Sequence, residues 1–294
     1  MIRKLQLQLL IGLVALTTTA LAQGAPAWAA TEQNDFGQVN YSQREVTATG
    51  IGAVPANAPN VGAARANAIR AARVDALRNL IEAVKAVRVN SETTVENNMV
   101  TSDVIRTRVE ANIRGARQVG DVKYLSDSSV EVTMVVPMSG ILDVMLPATA
   151  SPADATADLS TIAVTDPVGA AEPAVAAPPA PGPITGLIID ARGLGLKPSM
   201  SPQILAQDGT VLYGPGKYPR SFAVNQGVVG YHKDPLAAAS DSRVAGNPVT
   251  IKGIGTAGSL STDVVLATAT AQQISGLDGF SSAISSCRVM FILD

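Results

Sequence analysis

The chain has 294 residues, a formal net charge of −2 at pH 7 and an aromatic content of only 3%. A mildly acidic chain is poorly suited to bind nucleic acid, because that affinity comes mostly from neutralising phosphates with Lys and Arg. With one histidine, His232, and one cysteine, Cys287, the chain cannot supply a zinc site of several such ligands or an intramolecular disulfide. The composition therefore predicts no nucleic acid partner, no metal ion and no other cofactor.

The N-terminus has the organisation of a secretory signal peptide, which we predict over residues 1–29. Arg3 and Lys4 form a basic region, residues 9–16 form an apolar run, and residues 27–29, Ala-Trp-Ala, offer the small-x-small pattern that signal peptidase cleaves. The apolar run is shorter than the roughly 20 residues that a membrane-spanning helix needs. We therefore expect export to the periplasm or the outer-membrane surface, with peripheral membrane association at most.

The first folded block is predicted at residues 44–146. It opens with an alternating strand, and from Ala63 apolar residues recur at helical spacing, which predicts one long amphipathic helix. There follow an extended stretch at 87–100, a helix capped by Ser102, a hairpin with a polar turn at 126–129, and a short last helix. This order predicts an antiparallel sheet with helices packed on one face, the α+β class.

This block resembles a known family of exported proteins. The strand TATGIGAVP at residues 47–55, the Ala-rich helix and the hairpin are similar to those of the twenty-kilodalton lipoprotein family of bacterial outer membranes. They are also similar to the related N-terminal domain of flagellar assembly protein T, and a periplasmic domain of the SIMPL type is a competing resemblance. The likeness implies an envelope protein whose motifs are small and apolar rather than catalytic. The leader departs from the lipoprotein pattern because it lacks the cysteine that accepts a lipid.

Two segments are predicted to lack a core of their own. Residues 30–43 are mostly polar and predict a flexible N-terminal arm. Residues 147–183 consist largely of Pro, Ala, Thr, Ser and Asp, with few large side chains that could stabilise a fold, and predict a linker.

The second block, residues 184–294, is predicted as a mixed α/β domain because strands and helices alternate through it. Its first strand is followed by Gly193 and Gly195, but Pro198 replaces the third glycine of a dinucleotide-binding loop. The glycines are therefore interpreted as a bend that leads into a hairpin around Asp208 and its following glycine. This block also resembles the C-terminal domain attached to exported envelope proteins of this kind.

Three residues are candidates for binding. Asp190 and Arg192, two positions apart on a strand, share one face and would either pair with each other or hold a charged partner; a local ion pair is the favoured interpretation. Asp263, just before an apolar strand, is interpreted as a cap or turn residue. His232 is predicted to be an exposed turn residue and Cys287 a small buried apolar one.

These observations predict a protein that is not an enzyme. His232 is the only histidine that could act as the base of a Ser/His/Asp or Cys/His arrangement, and no catalytic, cofactor-binding or metal-binding residues are assigned. We expect an exported cell-envelope protein that acts by protein–protein interaction with envelope proteins, as an accessory or assembly factor at the outer membrane, with the flagellum as one possible place. The alternative is a periplasmic module that binds or hydrolyses cell-wall glycan.

Overall fold

The structure, a computed structural model, describes residues 26–146, 162–164 and 181–294. The predicted signal peptide up to residue 25 and most of the predicted linker lie outside the described residues. In the described part of the chain, no helix is both long enough and apolar enough to cross a membrane. The α+β class predicted from the sequence is confirmed.

The first block is built on a five-stranded antiparallel sheet. Its strands lie in the order β1-β2-β3-β5-β4. They span Thr31–Gln33 (β1), Gln38–Asn40 (β2), Glu45–Gly52 (β3), Arg117–Tyr124 (β4) and Val130–Pro137 (β5). The hairpin predicted around the polar turn is formed by β4 and β5.

The segment at 30–43 is not the flexible arm that its polarity predicts. It supplies β1 and β2, and β2 pairs with β3 in antiparallel register. Val39 and Tyr41 are each only 3% exposed. The prediction of a flexible arm is wrong because the pairing of β2 with β3 places Val39 and Tyr41 in the hydrophobic core.

Four helices complete the first block: Val61–Lys85 (α1), Val95–Thr101 (α2), Asp103–Arg114 (α3) and Met138–Met145 (α4). The extended stretch predicted at 87–100 is wrong for its second half, where α2 lies. The Thr94 side chain accepts a hydrogen bond from the N–H of Asn97, which caps the helix. Val95 and Met99, one helical turn apart, are both buried. The alternation of apolar and polar residues that predicted a strand therefore continues into a helical spacing from Val95 onward.

Helix α1 lies unusually close to β3. A Cβ placed on Gly50 would overlap the Ala72 carbonyl and come within 2.7 Å of the Ala76 Cα. A Cβ on Gly52 would come within 2.6 Å of the Ala72 backbone nitrogen. Ala68, Ala72 and Ala76 are fully buried on the helix. The glycines of the strand and the alanines of the helix therefore allow backbone to pack directly on backbone.

The second block contains two sheets. One is entirely parallel, in the order β10-β14-β7-β11, and the other is mixed, in the order β6-β12-β13-β8-β9. The strands are Ile162–Val164 (β6), Gly186–Asp190 (β7), Ile204–Ala206 (β8), Val211–Tyr213 (β9), Gly230–His232 (β10), Pro248–Lys252 (β11), Gly255–Ala257 (β12), Asp263–Leu266 (β13) and Val289–Ile292 (β14). The predicted linker thus contributes one strand, β6, which pairs with β12.

The helices of the second block are Arg220–Gln226 (α5), Pro235–Ser240 (α6), Thr268–Ser275 (α7) and Phe280–Ser285 (α8). The hairpin predicted around Asp208 is formed by β8 and β9. Asp234 caps α6, accepting the N–H of Leu236 at 2.9 Å. The short elements α5, α8, β10 and β12 were missed, because each spans too few residues to show a period.

The two blocks meet along a seam, which we define as residues 88–91. The carbonyl of Arg88 accepts the N–H of Met200 at 2.9 Å, and the carbonyl of Val89 accepts the N–H of Ser201 at 2.8 Å. On the other side, Ser91 accepts the N–H of Leu260 at 2.9 Å. Buried residues of both blocks form one continuous cluster. The seam therefore joins the blocks through backbone pairing as well as apolar contact.

The contact between α1 and β3 predicts a strong effect of one added methyl group. We expect Gly50→Ala to lower the free energy of unfolding by about 3 kcal/mol, because backbone on both sides leaves the new Cβ no space. Gly62→Ala adds the same methyl near the start of α1, where only the flexible Asn60 side chain is close, and should stay within about 1 kcal/mol of the parent. Urea unfolding of both variants checks this; equal effects would contradict close packing.

The seam predicts a second matched pair. Gly258 has φ +79°, and a Cβ there would come within 2.7 Å of the Ser91 Oγ; Gly195 has φ +67° with nothing near its Cβ position. Both alanine variants carry the strain of a positive φ, about 1 kcal/mol. We expect Gly258→Ala to lose about 1–3 kcal/mol more than Gly195→Ala, because only Gly258→Ala pushes the seam apart. Thermal unfolding measures the difference, and similar losses in the two variants would show that the seam does not stabilise the fold.

Candidate functional site

Asp190 and Arg192 lie where the parallel strand β7 ends, at the carboxyl edge that often binds ligands in such sheets. They form a two-pronged ion pair: the Arg192 Nε donates to Oδ1 of Asp190 at 2.8 Å, and one terminal nitrogen donates to Oδ2 at 2.7 Å. The hydrogen bonds from Arg192 lower the pKa of the Asp190 carboxyl. The two candidate residues therefore bind each other, which is the local ion pair favoured from the sequence.

The loop after this pair also satisfies its own polar groups. Gly193 donates its N–H to the side chain of the C-terminal Asp294 at 2.9 Å. Gly193 and Gly195 both have positive φ angles, which residues other than glycine rarely adopt. The loop is therefore a bend held by its contact with Asp294. It is not arranged to bind a phosphate group.

Asp263 occupies a different place from the one predicted. It is the first residue of β13 and only 3% exposed, rather than the cap or turn residue predicted from the sequence. Its carboxyl accepts the N–H of Gln203 at 2.8 Å and interacts with the Ser91 side chain of the seam. Burial, with a smaller contribution from the nearby Glu92 charge, raises the pKa of Asp263 to about 6 although hydrogen bonds from Ser91 and Gln203 act to lower it. Within the part of the chain that the structure describes, no hydrogen bond or ion pair joins Asp263 to Asp190 or Arg192.

His232 is not the exposed turn residue predicted from its polar neighbours. It ends β10 and is only 6% exposed. The Trp28 ring stacks on the imidazole, with centroids 4.7 Å apart and planes 7° from parallel. Its Nδ1 accepts the N–H of Asp234 at 2.9 Å. The sequence reasoning missed this contact because it assigned Trp28 to the leader.

Cys287 is fully buried, as predicted. Burial raises the pKa of its thiol, which disfavours the nucleophilic thiolate. Both His232 and Cys287 are thus held in structural positions. Among the described residues, no group of three or more His, Cys, Asp or Glu side chains is placed to hold a metal ion.

Two arginines from distant parts of the chain close the end of α5, a feature with no signal in the sequence. Arg44 donates to the carbonyl of Asn225 at 3.0 Å. Arg243 donates to the carbonyls of Gly227 at 3.1 Å and Cys287 at 2.7 Å. Burial lowers the pKa of both guanidinium groups, and the charge of Arg243 lowers that of Arg44 further. The arginines satisfy the open carbonyls at the helix end, where cations are favoured.

The first sheet presents a second kind of candidate, its face opposite α1, which we call the open face. It is formed by alternate residues of three strands, paired across the sheet: Glu45, Thr47, Thr49 and Ile51 of β3, Glu131 and Thr133 of β5, and Arg117, Val119 and Lys123 of β4. Val135 of β5 belongs to the same side of the sheet but is fully buried. Ile51 is 55% exposed and Val119 is 39% exposed. The face therefore offers apolar side chains to a partner.

Ion pairs frame this apolar area. Arg117 and Glu45 are 2.9 Å apart, and Lys123 and Glu131 are 2.8 Å apart. The Lys123 pair joins the neighbouring strands β4 and β5, whereas the Arg117 pair reaches from β4 across β5 to β3. An exposed apolar centre with a charged rim is the usual anatomy of a protein–protein interface.

The buried carboxyl of Asp263 predicts a pH dependence of stability. Its folded pKa of about 6 exceeds the unperturbed value of about 3.9, so the folded protein binds more protons than the unfolded chain between these values. The free energy of unfolding therefore falls as pH rises from about 4 to about 6, by roughly 3 kcal/mol in all. Asp263→Asn keeps an oxygen that can accept the Gln203 N–H, and we expect it to flatten this part of the profile.

Urea unfolding between pH 4 and 7.5 measures the slope in the parent and the variant. Asp208→Asn removes a carboxyl of the same type from an exposed turn and serves as the control that keeps the slope. A slope that persists in Asp263→Asn would contradict the assignment of this titration to Asp263.

Comparison with known families divides the chain as the fold does. Residues 36–136 match the model of the LPP20 lipoprotein family, and residues 186–294 match the second domain of Treponema pallidum Tp0624. No curated protein matches the chain. The resemblance of the first block to the twenty-kilodalton lipoprotein family is thus confirmed: the chain combines a block similar to the LPP20 lipoprotein family with a block similar to the second domain of Tp0624.

Proposed function

We propose that this protein is exported to the cell envelope and works there by binding other proteins, as an accessory or assembly factor at the outer membrane. The match of residues 36–136 to an envelope lipoprotein family supports the location. The basic and apolar regions of the N-terminus support export. The resemblance to the N-terminal domain of flagellar assembly protein T makes the flagellum one candidate place of action.

The observation that carries the binding function is the open face of the first sheet. Ile51 and Val119 stand exposed beside Thr49 and Thr133, which pair with each other across β3 and β5. Apolar side chains can enter a partner interface with little desolvation cost, and a Thr hydroxyl can do so when the partner forms a hydrogen bond with it. The partner that we propose for this face is an envelope protein with an apolar patch of its own and with charges that complement the ion pairs around the face.

The positions of the reactive side chains support a binding role over a catalytic one. His232 is covered by Trp28 and already accepts a hydrogen bond at Nδ1. Cys287 is buried with a raised thiol pKa. Neither group is placed to meet a substrate as a general base or nucleophile.

The test uses the full chain as bait for envelope proteins from a Gram-negative bacterium. We expect a discrete partner to be retained by the parent and reduced at least about tenfold by Ile51→Lys, which replaces an exposed apolar side chain of the open face with a charged one. Val74→Lys makes the same change at a site 50% exposed on α1, on the opposite side of the sheet, and should retain the partner. Equal thermal midpoints for the two variants exclude misfolding as the cause.

Two results would contradict the proposal. One is equal capture by both lysine variants, which would remove the open face from the interaction. The other is tight binding of the parent to purified peptidoglycan, or its turnover, with no protein retained. That outcome would favour the alternative of a module acting on cell-wall glycan.

A further inference from the structure

Residues at the predicted cleavage site form part of the folded protein. The predicted cut after Ala29 would discard Trp28, yet its ring covers the buried His232. The carbonyl of Trp28 also accepts the N–H of Lys233 at 2.9 Å. Trp28 thus contacts the end of β10 through both its side chain and its backbone.

The chain that follows Trp28 is more deeply buried. Ala29 is 3% exposed and Ala30 is 2% exposed. The Ala30 N–H donates to the Ser42 Oγ at 2.9 Å, and the Ala30 carbonyl accepts the N–H of Tyr41 at 2.9 Å. The Ser42 hydroxyl in turn donates to the carbonyl of Tyr231 at 2.6 Å. This short network ties the segment to both blocks.

Cleavage after Ala29 would have two physical consequences. It would uncover the imidazole of His232 and leave the Lys233 N–H without its acceptor. It would also turn the backbone nitrogen of Ala30 into a charged α-ammonium group, although Ala30 is almost completely shielded from solvent. Burying a charge there without a carboxylate partner is strongly unfavourable.

A cut between Ala27 and Trp28 would preserve the ring but not the turn before it. Ala29 donates its N–H to the carbonyl of Pro26 at 2.8 Å. That turn leads the chain into its buried path. The folded structure therefore uses residues from Pro26 onward.

The sequence offers a second cleavage pattern upstream of this part. Residues 20–22 read Ala-Leu-Ala, which again places small residues at the two positions that signal peptidase recognises. They follow the apolar run of residues 9–16 more closely than residues 27–29 do. A cut at this point would leave every described residue in the mature chain.

We infer that signal peptidase cleaves after Ala22, so that the mature protein begins at Gln23 and keeps Trp28 as the cover of His232. This inference rests on the export proposed above. Trp28 then belongs to the working protein, on the surface where the N-terminal segment meets the second block.

The direct test is the N-terminus of protein made with its own leader and purified from the periplasm of a Gram-negative host. No Lys or Arg lies between Lys4 and Arg44, so one tryptic peptide carries the mature start, and mass spectrometry reads it. We expect a peptide that begins at Gln23. A start at Trp28, at Ala30 or at any other residue would overturn the inference.

Two matched leader variants locate the recognised site. Ala20→Phe places a large side chain at the third position before the inferred cut and should leave uncleaved precursor. Ala27→Phe makes the same change for the downstream pattern, at a residue exposed in the fold, and should be processed like the parent. The reverse result would place the cut after Ala29.

A spectroscopic readout is independent of the peptide map. Trp28 is the only tryptophan in the chain, so mature protein that begins at Gln23 fluoresces as a tryptophan protein and Trp28→Phe abolishes that emission. Mature periplasmic protein without tryptophan emission would overturn the inference while leaving export intact. Full-length precursor retained in the cytosol would instead contradict the proposed export, and with it this inference.

Discussion

The close packing of α1 on β3 determines the architecture of the first block. Gly50 and Gly52 have no side chains to separate strand from helix, and the buried face of α1 consists largely of alanine. At this separation, polar side chains of the helix reach the strand itself. Asp75 accepts the N–H of Ile51 at 2.9 Å and Asn79 donates to the carbonyl of Thr49 at 2.8 Å. The helix therefore both covers the sheet and satisfies the part of β3 that extends beyond the short β2, an edge that would otherwise invite unwanted pairing.

The position of α1 also decides where the second block can dock. The helix ends at Lys85, and the seam at 88–91 follows within a few residues, so the seam has little freedom to move away from the helix. Its carbonyls accept hydrogen bonds from two separate loops of the second block. Asp263 lies at the same junction, and its raised pKa reflects how fully the two blocks exclude water there. The two blocks that the sequence predicts therefore share one apolar core.

The sequence reveals those features whose signal lies within a few neighbouring residues. Helix α1, the hairpin of β4 and β5 and the bend at Gly193 were predicted because spacing and turn residues report local geometry. The ion pair of Asp190 and Arg192 was predicted for the same reason. The contact of Arg44 with Asn225 joins residues 181 positions apart, and the burial of His232 depends on Trp28. A local pattern shows which side of an element is buried but not which distant segment covers it, so these contacts could not be derived.

The candidate charged and polar side chains of the second block already bind other parts of the protein, and this makes the open face of the first sheet the better candidate for binding a partner. Asp190 pairs with Arg192, Arg243 donates to backbone carbonyls, and His232 accepts a backbone N–H. Using any of these side chains to bind a ligand would break a contact that stabilises the fold. At the rim of the open face, exposed cations pair with half-buried carboxylates, and ion pairs so close to water contribute little to stability. They can reorient toward an incoming partner at small cost, while Ile51 and Val119 supply the apolar area that association needs. A partner could thus bind at this face without disturbing the packing of α1 beneath it.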